Sequence, residues 1–169
     1  MSGSRETLSL DGAWSFHPDP GATLTVASLG SGQPILVPGC WEAQIDHPYG
    51  IRTAWYRREF DIPAAWAGDR IVIRFGAVMY ACEVHLNGRL IGTHEGGYTP
   101  FELDAGAPAI PGATNVVAVR ITNPLNEIRE YPVFPEADLE GIGSADASMP
   151  IAEIPHGKQT WYSSQCCIW

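Results

Sequence analysis

The chain has 169 residues, a length typical of a single domain, and we treat residues 1–169 as one domain. Its 19 acidic residues outnumber its 10 basic residues, and the net charge of −9 excludes nucleic-acid and anionic-membrane partners. No apolar run is long enough for a membrane-spanning helix. The 18 glycines and 14 prolines disfavour a helix bundle, so we predict an all-β protein of short strands.

Strand patterns follow one another along the chain. Residues 8–16 predict two short strands around an Asp-Gly turn, and residues 35–38 predict a strand that Pro38 ends. Alternation of apolar and polar residues predicts further strands at 55–62, 70–75, 81–86, 99–104 and 115–122. Short strands at this regular spacing, separated by turn residues, indicate a two-sheet sandwich.

The pair Asn87-Gly88 is the strongest turn signal in the chain. Both central residues of a type I′ turn need a positive φ, which Asn and Gly adopt at low cost. The apolar residues Leu86 and Leu90 flank the pair. We therefore predict a β-hairpin at this position.

Residues 123–157 interrupt the strand pattern with five prolines, seven acidic residues and one arginine. A loop of this length in a compact domain is often functional, and the alternative is a disordered surface insertion. We expect this long loop to be partly disordered. The last residues, 165–169, are rich in apolar β-formers, which suggests that a further strand of a longer protein has been removed.

The chain contains four cysteines, at Cys40, Cys82, Cys166 and Cys167. Because two of them are adjacent, they are poorly placed for a disulfide framework, and we expect free thiols in a reducing compartment, the cytoplasm. The five histidines lack HxH and HExxH spacing, and no CxxC pair occurs. We therefore expect no metal site and no cofactor.

Residues 154–169 combine the side-chain types that bind sugars. A pyranose presents an apolar C–H face, which aromatic rings cover, and hydroxyl groups, which polar side chains bind. The segment offers both kinds within seven residues, at His156, Lys158, Gln159, Trp161 and Tyr162. We predict these five as substrate-binding residues, and the alternative is that the alternating aromatic residues belong to the core.

Catalysis by this chain alone is not expected. Retaining glycoside hydrolysis needs two carboxylates about 5–5.5 Å apart, and no motif here forces two acidic side chains together. Glu127 follows Asn126 in a dipeptide that carries the general acid in many glycosidases, but here it lies beside Pro124 in the long loop. We interpret Glu127 as a solvated side chain and assign no catalytic residue.

Six segments, in order, resemble the N-terminal sugar-binding domain of glycoside hydrolase family 2, which includes β-galactosidases, β-glucuronidases and β-mannosidases. They are LDGAWSF at 10–16, VPGCW at 37–41, AWYRREFDIP at 54–63, FGAV at 75–78, VHLNGRLIGTHEGGYTPFELD at 84–104 and IPHGKQTWYSSQCCIW at 154–169. Each segment alone is a weak signal. Six in the order of the family cover nearly the whole chain.

The resemblance implies a jelly-roll β-sandwich that lacks its last strand or strands. In the family, an immunoglobulin-like domain and a (β/α)8 barrel follow this domain, and the barrel holds both catalytic glutamates. The resemblance further implies that residues 154–163 form a loop at the rim of that active site, and that Trp41 and Trp55 pack against the barrel. An open sheet edge left by the missing strand predicts pairing between copies of the chain.

Two positions depart from the family pattern. Cys167 stands where the closing triplet of the family has Gly. In the β-galactosidase and β-glucuronidase branches, an Asp six residues earlier often touches the substrate, and Trp161 takes that position here. This departure argues against galactose or glucuronate specificity, because an indole would stack on a sugar ring instead of bonding its hydroxyl groups.

Three functions follow from these observations. In the first, the chain is a non-catalytic domain of a family 2 glycosidase whose barrel hydrolyses β-glycosides. In the second, it is a free-standing carbohydrate-binding module. In the third, it is a structural or assembly domain that binds no ligand. A response to added sugars separates the second function from the other two.

Overall fold

A computed structural model of the chain describes residues 5–46 and 51–123, together with the backbone of residues 167 and 168. Regular structure within this part is β-strand, apart from single 3₁₀ turns at Val26–Ser28, Trp41–Ala43 and Ala64–Trp66. The predicted all-β class is therefore confirmed. Except for Asn123, the predicted long loop 123–157 lies outside the described residues, and so does its expected disorder.

The strands form one large antiparallel sheet and two small antiparallel ladders. In chain order they are β1 (Gly12–Pro18), β2 (Gln33–Val37), β3 (Gly39–Cys40), β4 (Thr53–Asp61), β5 (Val72–Phe75), β6 (Ala81–Leu86), β7 (Arg89–Glu95), β8 (Phe101–Asp104), β9 (Thr114–Thr122) and β10 (Cys167–Ile168). The large sheet has the order β2-β1-β4-β9-β6-β7, β5 pairs with β8, and β10 pairs with β3. This architecture is the predicted jelly-roll sandwich.

The core lies between the inner face of the large sheet and the small ladders. Inner-face side chains with no more than 5% exposure include Trp14, Phe16, Tyr56, Val84, Leu86, Val117, Val119 and Ile121. On the opposite side, the Phe75 ring of β5 stacks on the Phe101 ring of β8 at 4.9 Å between centroids. Each large apolar side chain fully buried in this way contributes about 1.5–3 kcal/mol to folding.

The predicted β-hairpin and its neighbouring strands are confirmed. β6 has the predicted bounds, and its alternate residues Cys82, Val84 and Leu86 are buried. Asn87 has a φ of 50° and Gly88 a φ of 81°, the left-handed values that a type I′ turn requires. The period-two pattern therefore located the strand, and the Asn87-Gly88 pair located the turn that ends it.

The first predicted strand is wrong, because residues 8–10 belong to no ladder. Side chains hold this segment instead of strand pairing. The Nη1 of Arg58 donates to the carbonyl oxygens of Asp11, at 3.0 Å, and Ala13, at 3.2 Å. The indole Nε1 of Trp14 donates to the carbonyl oxygen of Leu10 at 2.8 Å. The segment before β1 is thus fixed by one nearby side chain, Trp14, and one distant in sequence, Arg58.

A buried asparagine connects the hairpin turn to the β8–β9 connection. The Oδ1 of Asn115 accepts from Asn87 Nδ2 at 2.7 Å and from the backbone N–H of Ile110 at 2.9 Å. Its Nδ2 donates to the carbonyl oxygens of Ile110 and Ala113, at 2.9 and 2.8 Å. The Asn115 side chain is fully buried, so each of these partners depends on it for a hydrogen bond.

A histidine on the outer face of the large sheet lies beneath the β1–β2 connection. His17 is opposite Trp55 in the β1–β4 register. A Cβ added at Gly32 would lie 2.7 Å from the Nε2 of His17 and 2.6 Å from the carbonyl oxygen of Phe16. Glycine therefore allows the connection to close over the imidazole. Burial, and secondly the charge of Arg57, lower the pKa of His17 below its ordinary value of 6.5.

We expect Asn115→Ala to lower the free energy of unfolding by about 2–4 kcal/mol, because several buried polar groups lose their partner at once. Urea unfolding of the whole chain measures this loss. The matched control is Thr114→Ala, which removes a single exposed hydrogen bond, from Thr114 Oγ1 to Asp61 Oδ1. Its cost should stay below about 1 kcal/mol. Equal costs for the two variants would show that the Asn115 network adds nothing.

We expect the stability of the chain to depend on pH through His17. A folded-state pKa below 6.5 means that the unfolded chain binds the proton more readily. The stabilisation is therefore fully present above pH 6.5 and decreases as the pH falls toward the folded-state pKa. When the pH is lowered from 7.5 to 5.5, the urea midpoint of the wild type should fall further than that of His17→Gln. An identical fall in both proteins contradicts the assignment to His17.

Candidate functional site

The five predicted substrate-binding residues lie outside the described residues. They are His156, Lys158, Gln159, Trp161 and Tyr162, all within the connection 124–166 between β9 and β10. Their role therefore stays a prediction. The structure shows where each end of this connection is attached to the sandwich.

Both attachment points belong to the sandwich. At the first end, the backbone N–H of Asn123 donates to the carbonyl oxygen of Arg52 at 2.8 Å, which extends the β4–β9 pairing by one bond. At the second end, Cys167 is opposite Cys40, and Ile168 is opposite Gly39, in the antiparallel β10–β3 ladder. Four residues separate Cys167 from Tyr162 in the sequence.

We call the surroundings of this ladder the β3 corner, defined by Gly39, Cys40, Trp41 and Gln44. The Gln44 side chain holds it to β2, since its Oε1 accepts from the N–H of Leu36 at 2.7 Å. Its Nε2 donates to the carbonyl oxygens of Leu36, at 3.0 Å, and Cys40, at 3.2 Å. The amide thus bonds the outer edge of β2 as a neighbouring strand would. Sequence reasoning did not identify Gln44.

Close packing explains the glycine in the β3 corner. A Cβ at Gly39 would lie 2.6 Å from the Nε2 of Gln44 and 2.9 Å from the carbonyl oxygen of Leu36. Any larger residue would displace the Gln44 amide from the β2 edge. The glycine of the VPGCW segment is therefore needed for the local packing of β3, the strand that pairs with β10.

The expectation that Trp41 and Trp55 pack against another domain is wrong. Trp41 is fully buried in the core, and its ring lies 5.5 Å from that of Phe16. Trp55 is on the outer face of the large sheet but is only 3% exposed, with its ring 5.5 Å from that of His85. Neither indole presents a free face to a barrel or to a sugar.

A shallow cleft of about 380 Å³ lies over β6, β7 and β9. Its lining includes the polar residues Glu83, Thr93, His94, Glu95, Arg120 and Thr122. The Oε1 of Glu83 accepts a hydrogen bond from Arg120 Nη1 at 3.0 Å, so these two charges neutralise each other. Carboxylates, a guanidinium and hydroxyls are the groups that bind the hydroxyls of a polyol.

Glu95, at the rim of the cleft, accepts a hydrogen bond from the side chain of Tyr80. The hydroxyl of Tyr80 donates to the Oε1 of Glu95 at 3.1 Å. This hydrogen bond, followed by burial and the carboxylate charge, raises the pKa of Tyr80 above 10. The phenol therefore stays protonated at neutral pH and acts there as a donor.

The cysteines differ from the sequence-based expectation. Cys40 is disulfide-bonded, so the prediction of four free thiols is wrong for this residue. Cys82 is free and buried, and burial raises its pKa to about 11, which keeps it a neutral thiol. The side chains of Cys166 and Cys167 lie outside the described residues. The cytoplasmic location, which was inferred from free thiols, stays a prediction.

The part of the chain that the structure describes contains no group of three or more His, Cys, Asp or Glu side chains able to hold a metal ion. Over the same residues, no helix has the length and apolar character to cross a membrane.

Comparison with known proteins finds several β-glucuronidases that are similar to this chain. A β-glucuronidase from Paenibacillus borealis is 32% identical over 134 residues, which are 73% of this chain and 22% of the relative. A β-glucuronidase from Canis lupus familiaris is 33% identical over 87% of this chain and 25% of the relative. The solved β-glucuronidase of Ruminococcus gnavus matches with a TM-score of 0.64 at 32% identity, over 69% of this chain and 21% of that chain.

These relatives are much longer than the present chain, which covers about a fifth to a quarter of their length. The β-galactosidase large subunit of Leuconostoc lactis is 38% identical over 51% of this chain. The profile described as the sugar binding domain of glycosyl hydrolases family 2 matches residues 7–128, most of the part that the structure describes. The chain therefore belongs to glycosyl hydrolase family 2 and carries the sugar binding domain of that family.

Proposed function

We propose that the chain is the non-catalytic, sugar-facing domain of a family 2 glycosidase and that it contributes a loop to the rim of the active site. The observation that carries this proposal is the family match over residues 7–128. The relatives that share this domain bear the names of glycosidases and are about four times longer. We therefore assign the hydrolytic groups to a part of the enzyme beyond this domain.

The proposed reaction of the whole enzyme is hydrolysis of a β-glycoside by double displacement. One carboxylate forms the glycosyl intermediate while a second donates a proton to the leaving group and later activates water. This step is proposed by analogy with the family. Relatives named β-glucuronidase and β-galactosidase support a β-glycoside as the substrate class.

Residues 154–163 are the proposed rim loop. The attachment of Asn123 to β4 and of Cys167 to β3 supports this role, because both ends of the connection start from the sandwich. Within the loop, the indole of Trp161 would cover the apolar face of a sugar ring, a contact of about 0.5–1.5 kcal/mol. Lys158 and Gln159 would donate hydrogen bonds to its hydroxyl groups.

The two alternative functions each have a supporting observation. A free-standing carbohydrate-binding module is supported by the polar cleft around Glu83 and Arg120. A structural domain that assembles through an open sheet edge is supported by β7, which lies at one edge of the six-stranded sheet. Light scattering at high protein concentration tests the latter, and a monomer would count against it.

We expect the purified chain to show no hydrolysis of aryl β-glucuronides or aryl β-galactosides. Retaining hydrolysis needs two carboxylates about 5–5.5 Å apart in one pocket. We propose that these carboxylates belong to a part of the enzyme beyond this domain. Release of the aryl alcohol, followed by absorbance, measures the activity, with a complete family 2 enzyme as the positive control. Turnover that co-purifies with the chain would refute the non-catalytic role.

We expect sugar titration to separate the rim-loop proposal from the binding-module alternative. A free-standing module should change the tryptophan fluorescence of the isolated chain at millimolar sugar, with Trp161→Ala abolishing the response. The matched control is Trp66→Phe, which removes a half-buried indole whose Nε1 donates to Glu6 on the sandwich.

The titration separates the binding module from the other two functions. A response that Trp161→Ala abolishes and Trp66→Phe retains supports a module built on residues 154–163. A response unchanged in Trp161→Ala removes that residue from the site. No response in the wild type rules out the module. It leaves the rim-loop role, in which the remainder of the enzyme completes the sugar site, and the structural role, which the light-scattering measurement tests.

A further inference from the structure

The partner of the disulfide-bonded Cys40 follows from the positions of the other three cysteines. Cys82 is excluded, because its thiol is free and is buried on the inner face of the large sheet, opposite His94 in the β6–β7 register. The partner is therefore one of the adjacent residues Cys166 and Cys167. Burial of Cys82 also removes it from exchange with the other thiols.

The backbone register selects Cys167. It stands directly opposite Cys40 in the β10–β3 ladder. Directly opposed residues of an antiparallel pair have Cα atoms about 4.5–5.5 Å apart, within the range of about 4.4–6.8 Å that a disulfide spans. Neighbouring residues of an extended chain point to opposite faces, so Cys166 is the poorer partner.

The β10–β3 ladder is the element that most needs such a bond. It contains only two residue pairs, whereas the β4–β9 ladder contains nine. The connection from Asn123 to Cys167 contains 43 residues between these ends, numbers 124–166. Closing a connection of that length costs chain entropy that two backbone pairs recover poorly.

We propose that Cys40 and Cys167 form a cross-strand disulfide that fastens β10 to the β3 corner and that opens and closes with the redox state. The oxidant is a low-molecular-weight disulfide such as oxidised glutathione. The Cys40 thiolate attacks one of its sulfurs and releases one glutathione thiolate. The Cys167 thiolate then attacks the Sγ of Cys40 and releases the second glutathione thiolate. In an excess of reduced glutathione, two glutathione molecules reverse the two steps and leave as oxidised glutathione.

The consequence concerns the segment that precedes β10. The bond fixes β10, which follows residues 154–163 in the sequence, while Asn123 fixes the start of the connection through its bond to Arg52. The identity of the bond stands independently of the proposed function. Its importance for the rim loop rests on that function, so the two fail separately.

Peptide mapping after redox equilibration tests the bond. The whole chain is equilibrated with mixtures of reduced and oxidised glutathione, quenched with acid, alkylated and digested with trypsin. Cleavage after Arg5, Arg52 and Lys158 places Cys40 in peptide 6–52 and both Cys166 and Cys167 in peptide 159–169. We expect these two peptides to be joined under oxidising conditions, with Cys82 unlinked in peptide 75–89.

Matched serine variants identify the partner. Cys166→Ser should retain the link and the rise in urea midpoint on oxidation, whereas Cys167→Ser should lose both. Fragment-ion sequencing of the linked wild-type peptides gives the same assignment if a variant does not fold. A link to Cys166, or alkylation of both Cys40 and Cys167 in every oxidising mixture, overturns the proposal.

Discussion

The antiparallel pairing of β4 with β9 is the constraint on which the rest of the sandwich depends. Its nine residue pairs run from Thr53 opposite Thr122 to Asp61 opposite Thr114. β1 adds to the free side of β4, and β6 adds to the free side of β9. Because side chains alternate along both strands, this single register places Tyr56 and Val119 in the core and Trp55 and Arg120 on the outer face. A slip by one residue would exchange the two faces.

Local patterns could predict the elements that this pairing organises. β6 alternates strictly, and β9 presents Val117, Val119 and Ile121 on one face to the same core, so the period-two pattern located both strands. The turn at Asn87 was predictable because two consecutive positive φ values restrict the choice of residues. The same asparagine also accepts from the N–H of Val116 at 2.8 Å, a contact across 29 residues that no local pattern carries.

Features set by contacts between distant residues could not be predicted in this way. Leu8 and Leu10 have the composition of a strand but no ladder to join, and Arg58 holds the backbone that follows them. Gln44 has no recognisable signal, since its role depends on the free edge of β2. The candidate site divides similarly. Its chemistry was predicted from side-chain types in residues 154–169, whereas its attachment comes from the β10–β3 register, which periodicity does not encode.

The β3 corner connects the core of the domain to β10, the strand that follows the predicted sugar-binding segment in the sequence. Trp41 anchors it in the core against Phe16, and Gln44 ties it to the β2 edge. β10 pairs with β3, so these contacts also set the position of β10 relative to the sandwich. Productive contact with a substrate needs its groups held within about 0.5 Å, which a loop alone does not provide. In the function proposed for this domain, the sandwich influences specificity without supplying the hydrolytic groups, because it holds β10, the strand that follows the proposed rim loop in the sequence.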